Sequence, residues 1–136
     1  MVRLVLPAEA SHLLSFLDIV EGFAKSLAFS SKKTQKIVLI MEEAILNVMN
    51  HAYSDGEPGP VEIRCWEEDE SIVLELRDRG RPFNPVDAAN PDLTADLAER
   101  PIGGLGIFLI KKIADDVRYR REEDENILTM IIHKEA

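Results

Sequence analysis

A chain of 136 residues with 16 Lys and Arg against 25 Asp and Glu, a formal charge of −9, is sized for one domain with a real core and lacks the basic face that nonspecific nucleic-acid binding needs. Apolar residues at 46% and charged ones at 30% are ordinary for a soluble globular protein, and no apolar run approaches the roughly 18–20 residues of a membrane span. Cys65 is the only cysteine, which rules out an internal disulfide and any multi-cysteine metal site.

The stretch Met1 to Pro7 is short for a signal peptide and lacks its cleavage pattern. The expectation is a single cytoplasmic domain over residues 1–136, with neither a membrane nor direct nucleic acid as partner. Arg3 to Leu6 reads as a short first strand. From about Glu9 to Phe29, Leu13, Phe16, Leu17, Val20, Phe23, Ala24 and Leu27 recur at helical spacing, and Ser30-Ser31 punctuates the end. A second helix is predicted from about Lys32 to Tyr53, closed by the dense turn signal Asp55-Gly56-Glu57-Pro58-Gly59-Pro60. Val61 to Trp66 and Ile72 to Arg77 alternate as strands, with Glu67 to Ser71 as the hairpin loop between them. Gly80 to Arg100 holds three prolines and few apolar residues; a connection that long is usually functional or disordered. Gly103-Gly104-Leu105-Gly106 opens a third helix through about Asp115. Val117 to Arg121 and Ile127 to His133 form a final hairpin turning at Glu122 to Asn126. Helices layered on one face of a mostly antiparallel, mixed sheet, an α+β two-layer sandwich, are the economical arrangement.

Three places break the apolar pattern. On the second helix, Glu43, Asn47, Asn50, His51 and Ser54 share one narrow stripe at about 100° per residue, while nearly every other position is apolar. Such a helix is buried, and unpaired amides or carboxylates in it cost on the order of 1–3 kcal/mol each. The stripe therefore either faces a polar ligand or simply reaches solvent at one edge. Asp78-Arg79-Gly80-Arg81-Pro82-Phe83 follows an apolar strand: the glycine permits close approach of a ligand to backbone and a bend without Cβ clash and the carboxylate can accept from an amine, or the motif is a plain Asx turn. Gly103 to Gly106 presents successive N–H groups at a helix start, an outline of a phosphate cradle or a tight turn. It matches neither the dinucleotide fingerprint nor the Walker pattern.

In their order and spacing, these motifs resemble the asparagine box and the two glycine boxes of the GHKL superfamily of ATPases and kinases, whose fold is the Bergerat sandwich. Within it the chain is most similar to the small anti-sigma-factor serine/threonine kinases of the RsbW and SpoIIAB type. The resemblance rests on Glu43-Ala44-Ile45-Leu46-Asn47 with His51, on Asp78 to Pro85, and on Gly103-Gly104-Leu105-Gly106-Ile107. It implies three main helices on one face of the sheet, ATP and Mg²⁺ as cofactors, and a kinase that phosphorylates an antagonist protein of the STAS type and alternates between it and a sigma factor, as a possible homodimer. By matched position, Asn47 resembles the magnesium ligand and Glu43 the residue that polarises the attacking hydroxyl. Spacing i, i+4 puts both on one helix face. Asp78 resembles the acceptor of the adenine amine, and Gly80 the glycine that gives the base room. Gly103, Gly104, Leu105 and Gly106 resemble the hinge and phosphate-contacting segment, and Thr129 a support for the adenine end. Pro82 stands where many members have a second glycine, which shifts the subfamily rather than the fold. His51 reads as a hydrogen-bonding residue rather than a catalyst. The alternative is a noncatalytic, nucleotide-dependent binding module.

Overall fold

The computed structural model describes residues 1–53, 58–85 and 104–134. Strand β1 spans Val2–Pro7, and a single 3₁₀ turn, Ala10–His12, leads into helix α1, Leu13–Ser26. Helix α2 is Ser31–His51, strands β2 and β3 are Pro60–Glu68 and Ser71–Asp78, helix α3 is Gly104–Ile113, and β4 and β5 are Asp116–Glu122 and Glu125–His133. The five strands form one sheet in the order β1-β2-β3-β5-β4. All four described pairings are antiparallel, so the expected α+β sandwich carries no parallel pair among the described residues. Residues 101–103, including Gly103, and most of the long connection before them lie outside that description, as does Ser54.

Helix α1 is shorter than its apolar periodicity suggests. Ala28 takes φ 64°, and its N–H reaches Lys25 O while that of Phe29 reaches Ala24 O. Those two bonds satisfy the last carbonyls and turn the chain out of the helix, and Phe29 closes over the end as part of the core. Helix α2 starts where Ser30 leaves helical geometry and its hydroxyl accepts from Lys33 N at 3.1 Å, an N-cap. It then buries Ile37, Ile40, Met41, Ala44, Ile45 and Val48 against α1 and the sheet.

Strand alternation decides the sheet's inner face. Val61, Ile63 and Cys65 on β2 and Ile72, Leu74 and Leu76 on β3 are buried in the core shared with the helices. Cross-strand register continues that face onto β5: Leu74 pairs Met130, Leu76 pairs Leu128, and Asp78 pairs Asn126. Both hairpins are tighter than their sequences suggest. Asp69 and Glu70 take φ 48° and 60°, Glu123 and Asp124 take 51° and 64°, so each connection is a two-residue turn of the left-handed kind that suits sheet twist.

Candidate functional site

The polar stripe of α2 does face something. Asn47 and His51 line a cleft with about 460 Å³ of empty space, closed on the sheet side by Leu76, Asp78, Asn126 and Leu128 and at its rim by Arg81 and Phe83. The cleft is apolar apart from a few converging polar groups. Asn50, on the outer edge of the stripe, is exposed. The His51 ring lines the cleft, while its carbonyl accepts from Arg81 Nε at 3.0 Å.

Asp78 ends β3 at the bottom of this cleft and is 6% exposed. Its Oδ1 accepts from Gly80 N at 2.9 Å and from Asn126 Nδ2 at 2.9 Å. The Asx-turn reading of the motif therefore holds, yet it uses one oxygen only and leaves Oδ2 for a ligand donor. Burial pushes the Asp78 carboxyl above the ordinary carboxylate range, against the opposing pull of Asn126, Gly80 and the Arg121 charge. A buried acceptor surrounded by Leu76 and Leu128 suits the amine edge of a flat heterocycle.

Gly80 has a packing reason in this fold. A Cβ there would lie 2.3 Å from Ala52 O and 2.5 Å from Ala52 Cβ, so the glycine lets the strand end ride directly on the end of α2. Arg81 N donates to Ala52 O at 3.1 Å, and Tyr53 Oη accepts from Arg79 N at 2.7 Å while donating to Pro60 O at 2.7 Å. These contacts hold Asp78 in fixed relation to Asn47, which lies about one and a half turns before Ala52 on the same helix.

Glu43 sits one turn before Asn47, half-buried, with its carboxyl pushed up by burial and secondarily by neighbouring Glu42. Helix α3 begins at Gly104 and runs through Leu105 and Gly106 in its first turn, where backbone N–H groups have no partner inside the helix. A Cβ on Gly106 would come within 2.5 Å of Glu43 Oε2. The glycine-rich helix start therefore meets the candidate base directly. Thr129 does not join the site. It pairs with Glu75 and Arg118 on the sheet face away from the helices, lining a separate shallow groove with Trp66 and Val73. Alternation forbids it from reaching Asp78. The residue on β5 that does so is Asn126, which the sequence reading had placed in a turn.

Residues 6–132 match the histidine kinase-like ATPase domain, and the chain belongs to that family. Among curated relatives it is 27% identical over 126 residues to a serine-protein kinase RsbW of Oceanobacillus iheyensis, covering 89% of this chain and 79% of the relative. It is 25% identical over 130 residues to the serine/threonine-protein kinase BtrW of Bordetella bronchiseptica, covering 96% of this chain and 92% of that one. The fold aligns with a crystal structure of the RsbU and RsbW domains of a Mycobacterium tuberculosis protein at a TM-score of 0.65 and 12% identity, over 98% of this chain and 32% of the longer one. No helix among the described residues is long and apolar enough to cross a membrane.

Proposed function

We propose that this chain is an ATP-dependent serine/threonine protein kinase of the anti-sigma-factor type. The observation that carries the reading is that Asn47 and Asp78 line one apolar cleft, while Glu43, one turn before Asn47, lies against the glycine-started helix α3. Kinship with relatives named serine- and serine/threonine-protein kinases, over 79% and 92% of their lengths, supports it.

The residues present fit a magnesium nucleotide. Asp78 uses Oδ1 for Gly80 N and Asn126 Nδ2 and keeps Oδ2 for an exocyclic amine. No cluster of three or more His, Cys, Asp or Glu able to cage a metal exists among the described residues, and Mg²⁺ is ordinarily held by one or two protein groups plus substrate phosphates and water, which Asn47 Oδ1 suits. The bound nucleotide supplies the transferable phosphoryl group. Phosphoryl transfer is mostly positioning and charge neutralisation. In this chain Asp78 orients the base, and the clamp at Ala52 and Tyr53 fixes its distance from Asn47. The N–H groups opening α3 face developing negative charge. Glu43, its carboxyl raised toward neutrality by its surroundings, draws the proton from an incoming serine or threonine hydroxyl. A base of this kind contributes about 10²–10⁴-fold.

The protein substrate in this reading is a small antagonist of the STAS type, and the alternate partner is a sigma factor. The test is incubation with γ-labelled ATP, magnesium and the candidate antagonists of the same organism. Label on a serine or threonine, lost with Glu43→Gln, is the expected result. Nucleotide binding with no phosphoprotein product under any condition would convert the chain into a binding module.

A further inference from the structure

We propose that Asn126 is a positioning residue whose locked side-chain amide makes the cleft select a 6-amino purine over a 6-oxo one. The proposal rests on the nucleotide reading above and names the residues that decide which nucleotide is taken. Three donors converge on Asn126 Oδ1: Tyr119 Oη at 2.6 Å, Arg121 Nη1 at 3.2 Å and Phe83 N at 3.4 Å. The guanidinium and the backbone amide can only donate, so the oxygen must face them. On the other side, Nδ2 donates to Asp78 Oδ1 at 2.9 Å and to Arg81 O at 2.8 Å, and a backbone carbonyl can only accept. Both ends of the amide are thus fixed by groups with a single possible role. An amide flip would leave clashing donors on one side and clashing acceptors on the other.

The consequence falls on Asp78. Its Oδ1 takes donors from Asn126 and from Gly80 N, which hold the carboxylate plane and counter part of the upward push of burial. Arg121 adds a second tie by donating from Nη1 to Gly80 O at 2.8 Å. The cleft therefore offers Oδ2 purely as an acceptor. An exocyclic amine satisfies it, whereas a carbonyl at the same place sets acceptor against acceptor in a site 6% exposed. A site built around one hydrogen-bond polarity rejects the opposite polarity strongly, because a buried group is left unpaired.

Inosine triphosphate is the probe, since it differs from ATP at the purine position in question and keeps the ribose and phosphates. The experiment is calorimetric titration of wild type, Asn126→Asp and Tyr119→Phe with each nucleotide, each variant first checked for a cooperative melt. In Asn126→Asp a second carboxyl faces Asp78, the pair shares a proton, and Asp78 gains a donor. The preference for ATP over inosine triphosphate should fall by at least about tenfold, the worth of one hydrogen bond to a charged group. Tyr119→Phe removes one of the three donors that fix the amide and should lower the preference by about three- to tenfold. If Asn126→Asp fails to fold, the half-buried Tyr119 variant decides alone. A wild-type preference retained in the folded Asn126 variant, or no preference in wild type, overturns the proposal and leaves the nucleotide reading standing. Binding of neither nucleotide by wild type overturns both.

Discussion

At the scale of single residues, the two carboxyls of the site are held against their own stability. Asp78 and Glu43 both have pKa values raised chiefly by burial, so the folded chain binds their protons more readily than the unfolded chain does. Ionising them therefore works against folding: their contribution to stability is greatest below the ordinary carboxylate range and declines as pH rises through the raised folded values. Asp78→Asn keeps an oxygen for Gly80 N and removes the buried charge. It should match or exceed wild type in melting temperature at neutral pH without ligand, lose that advantage as pH falls below about 4, and lose nucleotide affinity. Melting curves across pH alongside a binding titration check all three. A variant both less stable and binding ATP normally would mean that Asp78 serves the fold alone. Glu43→Gln should show the same stability trend while keeping nucleotide binding and losing transfer.

Elements were legible in the sequence wherever periodicity was long and failed where one residue of register mattered. The stripe of α2 and the Asp78 motif single out Asn47, His51 and Asp78, which the fold brings to one cleft. Thr129, suggested by resemblance alone, falls on the opposite sheet face from Asp78 because side chains alternate with a period of two, and Asn126 is hidden by the five-residue turn the sequence suggests between β4 and β5. The positive φ values at Glu123 and Asp124, where Asn or Gly is usual, hid the two-residue turn that puts Asn126 opposite Asp78. The need for glycine at residue 80 was visible as a motif, but its cause, the approach of Ala52, is a contact between distant segments that no local pattern reveals. Gly80→Ala meets backbone at 2.3 Å and should destabilise by about 2–3 kcal/mol or more, the range for overpacking. Gly106→Ala meets only the tip of Glu43; it should leave the melt nearly unchanged and cut phosphoryl transfer by displacing the carboxylate. Ala28, at φ 64°, predicts the opposite sign: Ala28→Gly relieves left-handed strain at the α1 terminus and should stabilise by about 0.5–1 kcal/mol after the glycine's greater unfolded freedom is subtracted. Chemical denaturation of the three variants separates these cases.

For the whole molecule, the architecture sets the nucleotide cleft at one end of the sheet, where β3, β5 and the end of α2 meet. The clamp at Ala52 and Tyr53 ties the strand end carrying Asp78 to the helix carrying Asn47. The long connection from Gly80 to Arg100 lies beyond the described residues after Pro85. A net charge of −9 favours partners with a basic surface through long-range steering, and association with such a partner should slow as salt is raised because charges beyond about 10 Å are screened at 0.1 M. Calorimetric titration with ATP in the presence and absence of Mg²⁺, on wild type and Asn47→Ala, bears most directly on the assignment of the cleft. Binding that requires magnesium and is sharply weakened in Asn47→Ala is the expected result; equal affinity with and without the metal, or an Asn47→Ala variant that binds as wild type does, would contradict it.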